Sequence, residues 1–194
     1  LIYTPLNGTG NKPVREVLRR AGFDDVTVVP SQENPDGHFP TCPYPNPEIR
    51  QAFEEALKLA ENKKADLLLA TDPDCDRVGI AVNTGDGYKL MSGNEVGVLL
   101  TEYVLSSMKA AGTLPKNPVI VKSFVTTSLV DRVAESYGCE VRDVLTGFKY
   151  IGEIATELEK KNEGERFILG MEESYGYLSG THVRDKDAVN ASLL

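Results

Sequence analysis

The sequence contains few of the residues that bind soft metals or form cross-links. Its three cysteines are Cys42, Cys75 and Cys139, an odd number without a Cys-x-x-Cys spacing, and its two histidines are His38 and His182. Neither a disulfide framework nor a zinc site is therefore predicted, and we expect the thiols to be reduced. Cys75 lies between two aspartates, where it is predicted to be a spacer and not a metal ligand.

Long apolar stretches and basic tracts are also missing. No run approaches the roughly twenty apolar residues of a membrane span, and the formal net charge is −8 with a pI near 4.9. This acidic balance argues against non-specific binding to nucleic acid, which requires a basic surface along the phosphate backbone. We therefore expect a cytoplasmic protein with neither a membrane nor a nucleic-acid partner. A small anionic ligand would depend on local positive charge, for which Lys149, Arg184 and Lys186 are available.

The pattern of apolar runs and turn residues predicts an α/β fold in two halves, residues 1–90 and 91–194. Strands that alternate with amphipathic helices are typical of layered α/β domains. A boundary near residue 90 fits the segment Ser92-Gly93-Asn94-Glu95, which offers a cap for a new helix. With 194 residues and 41% hydrophobic content, the chain can bury one sizeable core or two small ones.

The first half is predicted to contain five strands and two helices. The strands are Ile2 to Pro5, Val26 to Val29, Ala65 to Ala70, and a hairpin of Val78 to Val82 with Tyr88 to Met91. The helices are Lys12 to Ala21 and Pro47 to Glu61, and a proline-rich surface loop covers Pro30 to Pro47. The Asn7-Gly8-Thr9-Gly10 turn either cradles a phosphate on backbone amides or is a plain structural turn. Its spacing matches neither the dinucleotide nor the P-loop pattern, which favours the structural turn.

The second half is predicted to begin with a long helix, Val96 to Ala111. Spacing of apolar residues places Val96, Leu99, Leu100, Tyr103 and Val104 on one face of this helix. Three strands are predicted to follow: Val119 to Lys122, Glu140 to Val144 and Phe167 to Met171. Helices at Thr127 to Tyr137 and Phe148 to Lys161 separate them.

Three aspartates separated by single residues, Asp72, Asp74 and Asp76, stand between two predicted strands, and Arg77 follows them directly. Carboxylates packed this closely repel one another, and a hard divalent cation with oxygen ligands satisfies all three. Mg²⁺ is the first expectation, with Arg77 as a planar group suited to a phosphate.

This acidic segment has two other interpretations besides a metal site. Aspartate and proline are common turn residues, so the segment could be a solvated turn. A calcium loop of the EF-hand type also starts with alternating acidic residues, but Arg77 replaces its required glycine and Asn83 its bidentate glutamate. The flanks are predicted to be strands and not helices, which excludes the EF-hand.

Several segments together resemble one known family. The segment ATDPDCDRVGIAV is similar to the metal loop of the α-D-phosphohexomutases, the phosphoglucomutase and phosphomannomutase superfamily. GMEESYGY (Gly170 to Tyr177) resembles its sugar-binding loop, and THVRDKD (Thr181 to Asp187) resembles the phosphate-contacting stretch that follows. Upstream, IYTPLNGTG and FPTCPYPNPE resemble the opening strand and the proline-rich connection of the second domain.

The resemblance implies two similar layered α/β domains, each a mixed four-stranded sheet flanked by helices. Residues 1–90 would be domain II, partial at its N-terminus and carrying the metal loop, and residues 91–194 domain III with the sugar-binding loop. The metal ligands would be Asp72, Asp74 and Asp76, which hold one Mg²⁺. Arg77 and Lys186 would be catalytic, and the substrate-binding residues would be Arg77, Thr146, Glu172, Ser174 and Lys186. Taken from the residues alone, Glu172 and Ser174 could be a turn cluster and Thr146 a helix cap.

The resemblance also implies a reaction. A phosphoserine on another domain would give its phosphoryl group to a hexose phosphate and form a bisphosphate. This intermediate would reorient and return its other phosphoryl group to the serine, which interconverts hexose 1-phosphate and hexose 6-phosphate. Glucose 1,6-bisphosphate would be the activator of the full-length enzyme. Glucose phosphate is the most expected substrate, with mannose phosphate possible. The family's Ser-His-Asn-Pro segment is absent from this sequence, so domains 1 and 4 would be partners in the same chain and this segment alone would be inactive.

The sequence is also compatible with two other functions. One is a non-catalytic module of the same fold that binds a sugar phosphate or a divalent metal. The other is a metal-dependent phosphatase, for which no activating base is evident beside the aspartates.

Overall fold

Nine strands and six α-helices follow one another along the chain, and the computed structural model describes all 194 residues. Residues 1–92 and 93–192 form the bodies of two α/β units, each with its own mixed sheet. The predicted α/β class with two layered units is therefore confirmed. None of the helices combines the length and the apolar composition needed to cross a membrane.

The first unit is built on a five-stranded sheet. Its elements are β1 (Ile2–Thr4), α1 (Asn11–Arg20), β2 (Thr27–Val28), α2 (Glu54–Lys63), β3 (Leu67–Thr71), β4 (Val78–Asn83) and β5 (Tyr88–Leu90). The strand order is β2-β1-β3-β4-β5; the first three strands are parallel, and β4 and β5 pair antiparallel with their neighbours. This sheet has one strand more than the four implied by the resemblance, because the turn from Thr84 to Gly87 returns the chain along β4 as an edge strand.

Local sequence explains where these elements begin and end. In α1 the buried residues Val14 and Leu18 are four apart and face the core, and the helix ends before Gly22, whose φ is +91°. β3 is buried from Leu68 to Thr71 because it is a central strand that pairs with β1 on one side and with β4 on the other. A 3-10 turn, Arg50–Phe53, precedes α2, so the regular helix begins later than predicted.

The core of the first unit lies between the sheet and α2. It contains Ile2 and Leu68 from the strands, and Phe53 and Ala56 from the helical side. The proline-rich segment packs on this unit, since Cys42 within it is almost completely buried.

The second unit is built on a four-stranded sheet. Its elements are α3 (Gly93–Ala110), β6 (Val119–Ser123), α4 (Leu129–Ser136), β7 (Glu140–Val144), α5 (Phe148–Lys160), β8 (Phe167–Glu172), β9 (Gly176–Ser179) and α6 (Ala188–Leu193). The order is β7-β6-β8-β9, in which β6, β7 and β8 are parallel and β9 runs antiparallel to β8. One core cluster joins β6 and β8 to the apolar face of α5, through residues that include Val121, Ile151 and Leu158.

The buried face of α3 differs from the predicted one. Val96, Leu100 and Val104 are buried as predicted, but Leu99 and Tyr103 are 54% and 53% exposed. The helix instead turns small residues toward the sheet: a Cβ on Gly97 would lie 3.0 Å from the Sδ atom of Met171. Apolarity alone does not reveal such a close approach of backbone to sheet.

Candidate functional site

The aspartate segment forms a tight loop between β3 and β4 of the first unit. Thr71 and Val78 pair across the two strands and close the loop. Within it, one carboxylate oxygen of Asp72 accepts hydrogen bonds from the backbone N–H groups of Asp76 (3.1 Å) and Arg77 (2.9 Å). Cys75 turns the chain with a φ of +61°, and its N–H donates to the carbonyl of Asp72 at 3.0 Å.

This loop brings the three carboxylates together. One oxygen each from Asp72, Asp74 and Asp76 lies within 4.8 Å of the others, with Asp72 buried, Asp76 half-buried and Asp74 exposed. The pKa of Asp72 is raised from its ordinary value of 3.8 to about 6, mainly by burial and also by the charges of Asp76 and Asp74, while the hydrogen bonds from the two backbone N–H groups oppose the shift. Three clustered carboxylates, one of them desolvated, fit a hard divalent cation that accepts oxygen ligands.

Arg77 adds the positive charge of the loop. Its Nη1 atom lies 3.0 Å from Oε1 of Glu48, and its Nε atom lies 3.6 Å from Asp72 and 3.7 Å from Asp76. The guanidinium therefore balances part of the loop's negative charge, and its side chain is 37% exposed, so one edge of it still meets solvent.

The turn from Asn7 to Gly10 packs directly against the aspartate loop. The N–H of Thr9 donates to the carbonyl of Pro73 at 2.8 Å, and that of Gly8 donates to Pro5 at 2.8 Å. A Cβ on Gly8 would lie 2.3 Å from the Cα atom of Pro73, so only glycine permits this approach. These amides already have partners within the chain, which favours the structural interpretation of the turn over a phosphate cradle.

In the second unit, the predicted sugar-contacting residues gather at the carboxyl end of β8. Glu172 is the last residue of β8, and Ser174 lies half-buried in the turn to β9. The Oε1 atom of Glu172 accepts a hydrogen bond of 2.6 Å from the N–H of Gly147, the residue after Thr146 and directly before α5. Thr146 itself is exposed. The carboxyl ends of parallel strands are the usual ligand-facing edge of an α/β sheet.

Lys186 reaches the same region of the second unit. Its side chain crosses Gly176, where an added Cβ would lie 2.3 Å from the lysine Cδ atom. The ammonium stands 5.7 Å from the ring centre of Phe148, the first residue of α5, and 3.1 Å from Asp185. The structure thus brings Thr146, Glu172 and Lys186 around one turn and one helix start.

The remaining polar residues of the segment Thr181 to Asp187 hold that segment in place. His182 Nε2 lies 2.8 Å from Asp187, whose other carboxylate oxygen caps α6 by accepting from the N–H of Asn190. Arg184 bonds to Thr156 and Glu159 on α5. These contacts give His182 and Arg184 structural functions.

Glu173, which lies between the two predicted sugar-contacting residues, has side-chain hydrogen-bond partners on another strand end. Its Oε2 atom accepts a hydrogen bond of 2.7 Å from Ser123 and lies 3.4 Å from the hydroxyl of Thr126. The sequence signal for this contact is weak: Ser123 directly follows a predicted strand and Thr126 comes three residues later, but nothing in the pattern links them to a glutamate about fifty residues away.

The fold and these two loops define an α/β protein with a carboxylate cluster in one unit and a polar strand-end turn in the other. Residues 1–85 match the model of the phosphoglucomutase/phosphomannomutase alpha/beta/alpha domain II, and residues 92–194 match that of domain III. The chain therefore belongs to the phosphoglucomutase/phosphomannomutase family.

Individual relatives agree with this assignment. A phosphomannomutase of Mycoplasmoides pirum is 36% identical over 194 residues, and a phosphoglucomutase of Staphylococcus saprophyticus is 38% identical over 190 residues. These matches cover 100% and 97% of this chain but 34% of each relative, so the chain spans about a third of their length.

Two crystal structures are similar across the whole chain. One is a candidate phosphomannomutase from Thermus thermophilus, with 27% identity and a TM-score of 0.73, which covers 99% of this chain and 40% of that one. The other is a phosphoglucomutase/phosphomannomutase family protein from Burkholderia thailandensis, with a TM-score of 0.74 over 99% of this chain and 38% of that one. At 19% identity the second shows a shared fold.

Proposed function

We propose that this chain supplies the metal-binding and sugar-binding parts of a phosphohexomutase that interconverts hexose 1-phosphate and hexose 6-phosphate. The observation that carries the proposal is the cluster of three carboxylates within 4.8 Å on the loop between β3 and β4, in a chain of this family. Its relatives are named phosphoglucomutase and phosphomannomutase, which supports a hexose phosphate as the substrate. Glucose phosphate is the first proposed substrate and mannose phosphate the second.

In this proposal Asp72, Asp74 and Asp76 hold one Mg²⁺. When bound, the cation neutralises the negative charge that develops on the transferring phosphoryl group. Asp72 is held for this purpose by two backbone N–H groups, so its carboxylate does not need to reorganise when the cation arrives. Arg77 contributes a further positive charge beside the carboxylates.

The second unit provides the sugar contacts in the same proposal. Glu172 and Ser174 bind neighbouring sugar hydroxyls, because a carboxylate accepts hydrogen bonds and a hydroxyl both donates and accepts them. Thr146, at the start of α5, contacts a phosphate or hydroxyl oxygen. Lys186, fixed over Gly176 and Phe148, offers its ammonium to a phosphate.

The serine that carries the phosphoryl group is proposed to come from another domain of the longer parent protein. That proposal is supported by the relatives, of which this chain spans 34%. Glucose 1,6-bisphosphate would act as the activator of that longer protein, since it returns the serine to its phosphorylated form.

The test is a mutase assay on the full-length parent protein, with Mg²⁺ and glucose 1,6-bisphosphate present. Glucose 1-phosphate and mannose 1-phosphate are compared as substrates, and we expect turnover with a preference for glucose. Asp74→Ala should lower kcat at least about 100-fold, because a ligand and a charge of the metal site are lost. The control Asp86→Asn removes an exposed acidic group from the β4–β5 turn and should leave kcat unchanged.

Two results would contradict the proposal. A native parent protein without mutase activity on either sugar phosphate would favour a non-catalytic binding module. Robust turnover by residues 1–194 alone would contradict the need for a serine on another domain.

A further inference from the structure

We propose that Glu173 is a positioning residue, which fixes the turn from Glu172 to Tyr175 by accepting a hydrogen bond from the hydroxyl of Ser123, itself supported by the hydroxyl of Thr126. This inference rests on the proposed function, in which that turn binds the sugar. It assigns a purpose to the middle glutamate of the Glu172-Glu173-Ser174 sequence and to two hydroxyls that the proposed function does not use.

The side chains of Thr126, Ser123 and Glu173 form a hydrogen-bond chain in which each donor points toward Glu173. Ser123 Oγ lies 2.7 Å from the Glu173 carboxylate and 2.8 Å from Thr126 Oγ1. A carboxylate only accepts, and each hydroxyl has a single proton to donate. The Ser123 proton therefore points at Glu173, and the Thr126 proton points at Ser123. A hydrogen bond to an ionised acceptor is stronger than a neutral one, so this is a firm anchor for the turn.

The donors of this chain are themselves fixed in the interior. Ser123 is completely buried, and Thr126 is 4% exposed. The ammonium of Lys122 lies 3.4 Å from the carbonyl of Thr126 and 2.7 Å from Asp143 on the neighbouring strand β7. The loop after β6 is therefore tied to the sheet before it reaches Glu173.

The turn requires such an anchor because its backbone is strained. Tyr175 has a φ of +68°, a left-handed conformation that is unfavourable for a bulky residue. The start of α3 closes the other side: a Cβ on Gly93 would lie 1.9 Å from the carbonyl oxygen of Glu173. The hydroxyl of Tyr177 also donates to the carbonyl of Gly93 at 2.8 Å. Contacts on both sides hold the turn in a shape that its own sequence does not favour.

The consequence concerns binding more than chemistry. The sugar hydroxyls that contact Glu172 and Ser174 in the proposal do not react. Loss of these contacts therefore weakens the binding of substrate and of transition state equally, which raises KM. Local unfolding, in contrast, lowers the concentration of active enzyme, which reduces the apparent kcat and leaves KM unchanged. A rise in KM with little change in kcat therefore indicates a positioning residue, whereas a fall in apparent kcat at constant KM indicates a loss of stability.

The experiment uses the full-length parent protein with glucose 1-phosphate as the varied substrate. Glu173→Ala should raise KM about tenfold with less than about a threefold fall in kcat. Glu173→Gln should restore KM to within about threefold of the native value, because its amide carbonyl still accepts from Ser123. Ser123→Ala should raise KM in the same direction, and the double variant should be no worse than the more affected single one.

The matched control is Thr101→Val, which removes another completely buried hydroxyl of the second unit, bonded to the carbonyl of Gly97. It should leave KM unchanged. Native KM values in both Glu173→Ala and Ser123→Ala would overturn the inference and leave the mutase assignment intact. The same conclusion would follow if Thr101→Val raised KM as much as Glu173→Ala and Ser123→Ala do. A native parent without mutase activity would overturn the proposed function, and this inference with it.

Discussion

The carboxylate of Glu172 accepts a hydrogen bond of 2.6 Å from the backbone N–H of Gly147. This bond joins the end of β8 to the turn before α5, although the two residues are 25 positions apart in the sequence. Gly147 has a φ of +123°, so the turn is shaped for glycine. One side chain thus both belongs to the proposed sugar-binding turn and fixes the approach to the next helix.

Replacement of Glu172 should show how much its bond to Gly147 contributes to stability. Glu172→Gln keeps an acceptor for the Gly147 N–H, so the free energy of unfolding should change by less than about 1 kcal/mol. Glu172→Ala leaves that N–H without its partner and should cost about 1–3 kcal/mol. Urea unfolding of the 194-residue chain measures both. Equal losses in the two variants would show that the bond to Gly147 contributes nothing.

Gly176→Ala should move Lys186 at little cost in stability. The new Cβ would lie 2.3 Å from the lysine Cδ atom, and a flexible side chain can shift where a backbone cannot. We expect the free energy of unfolding to fall by less than about 1.5 kcal/mol. Turnover by the full-length parent protein should fall at least about tenfold, because the ammonium no longer meets the phosphate as proposed. Full activity in this variant would remove Lys186 from the proposed mechanism.

Gly8→Ala should weaken Mg²⁺ binding without altering any proposed ligand. Its Cβ would lie 2.3 Å from the backbone of Pro73, between Asp72 and Asp74, so the loop must shift or the turn must open. Overpacking of this kind costs about 1–3 kcal/mol. Isothermal calorimetry of the 194-residue chain should show weaker Mg²⁺ binding. Gly37→Ala is the control, since a Cβ there meets nothing within 4 Å; equal Mg²⁺ affinities in the two variants would contradict the prediction.

The succession of strands along the first half of the chain and the aspartate loop could be predicted from local sequence. β3 and β4 are short apolar runs with acidic residues between them, and the side chains of a loop that short must end near one another. The β4–β5 hairpin was predictable for the same reason, because Thr84-Gly85-Asp86-Gly87 is a turn sequence.

Contacts between distant segments could not be predicted in this way. The burial of Gly97 against Met171, and the exposure of Leu99, depend on how closely α3 approaches β8. The bond between Ser123 and Glu173 joins residues 50 apart. β9 is four residues long and follows a strained turn, so its sequence carries too weak a pattern to identify it.

Lys122 should be easier to replace than its two partners. Its side chain is 3% exposed, while Asp143 and Asp131, at 2.7 and 3.4 Å, are 57% and 29% exposed. Lys122→Met keeps the packing and leaves the mostly exposed Asp143 to water, and Asp131 can turn its partly exposed carboxylate outward, so the variant should cost less than about 1.5 kcal/mol. The double variant Asp131→Ala with Asp143→Ala leaves a buried ammonium without a counter-charge and should cost about 3–5 kcal/mol. Urea unfolding measures the difference, and a Lys122→Met loss as large as that of the double variant would contradict this asymmetry.

Asp72 should make the metal-free protein less stable as the pH rises. Its pKa is about 6 in the folded protein against an ordinary 3.8, so the folded state retains a proton over this interval that the unfolded state has lost. The free energy of unfolding should therefore fall between about pH 4 and pH 6, by about 2 kcal/mol after screening by solvent, and then level off. Urea unfolding in the presence of EDTA at a series of pH values measures this slope.

Asp72→Asn should abolish that slope, because the amide accepts the same two backbone hydrogen bonds without a charge. The variant should be more stable than the native chain at pH 7 without metal and should bind Mg²⁺ at least about tenfold more weakly, since a charged ligand is lost. Mg²⁺ should in turn stabilise the native chain most above pH 6, where Asp72 is ionised and ready to bind it. Asp86→Asn, in the exposed β4–β5 turn, should keep the native slope. An unchanged slope in Asp72→Asn would show that the proton is held elsewhere.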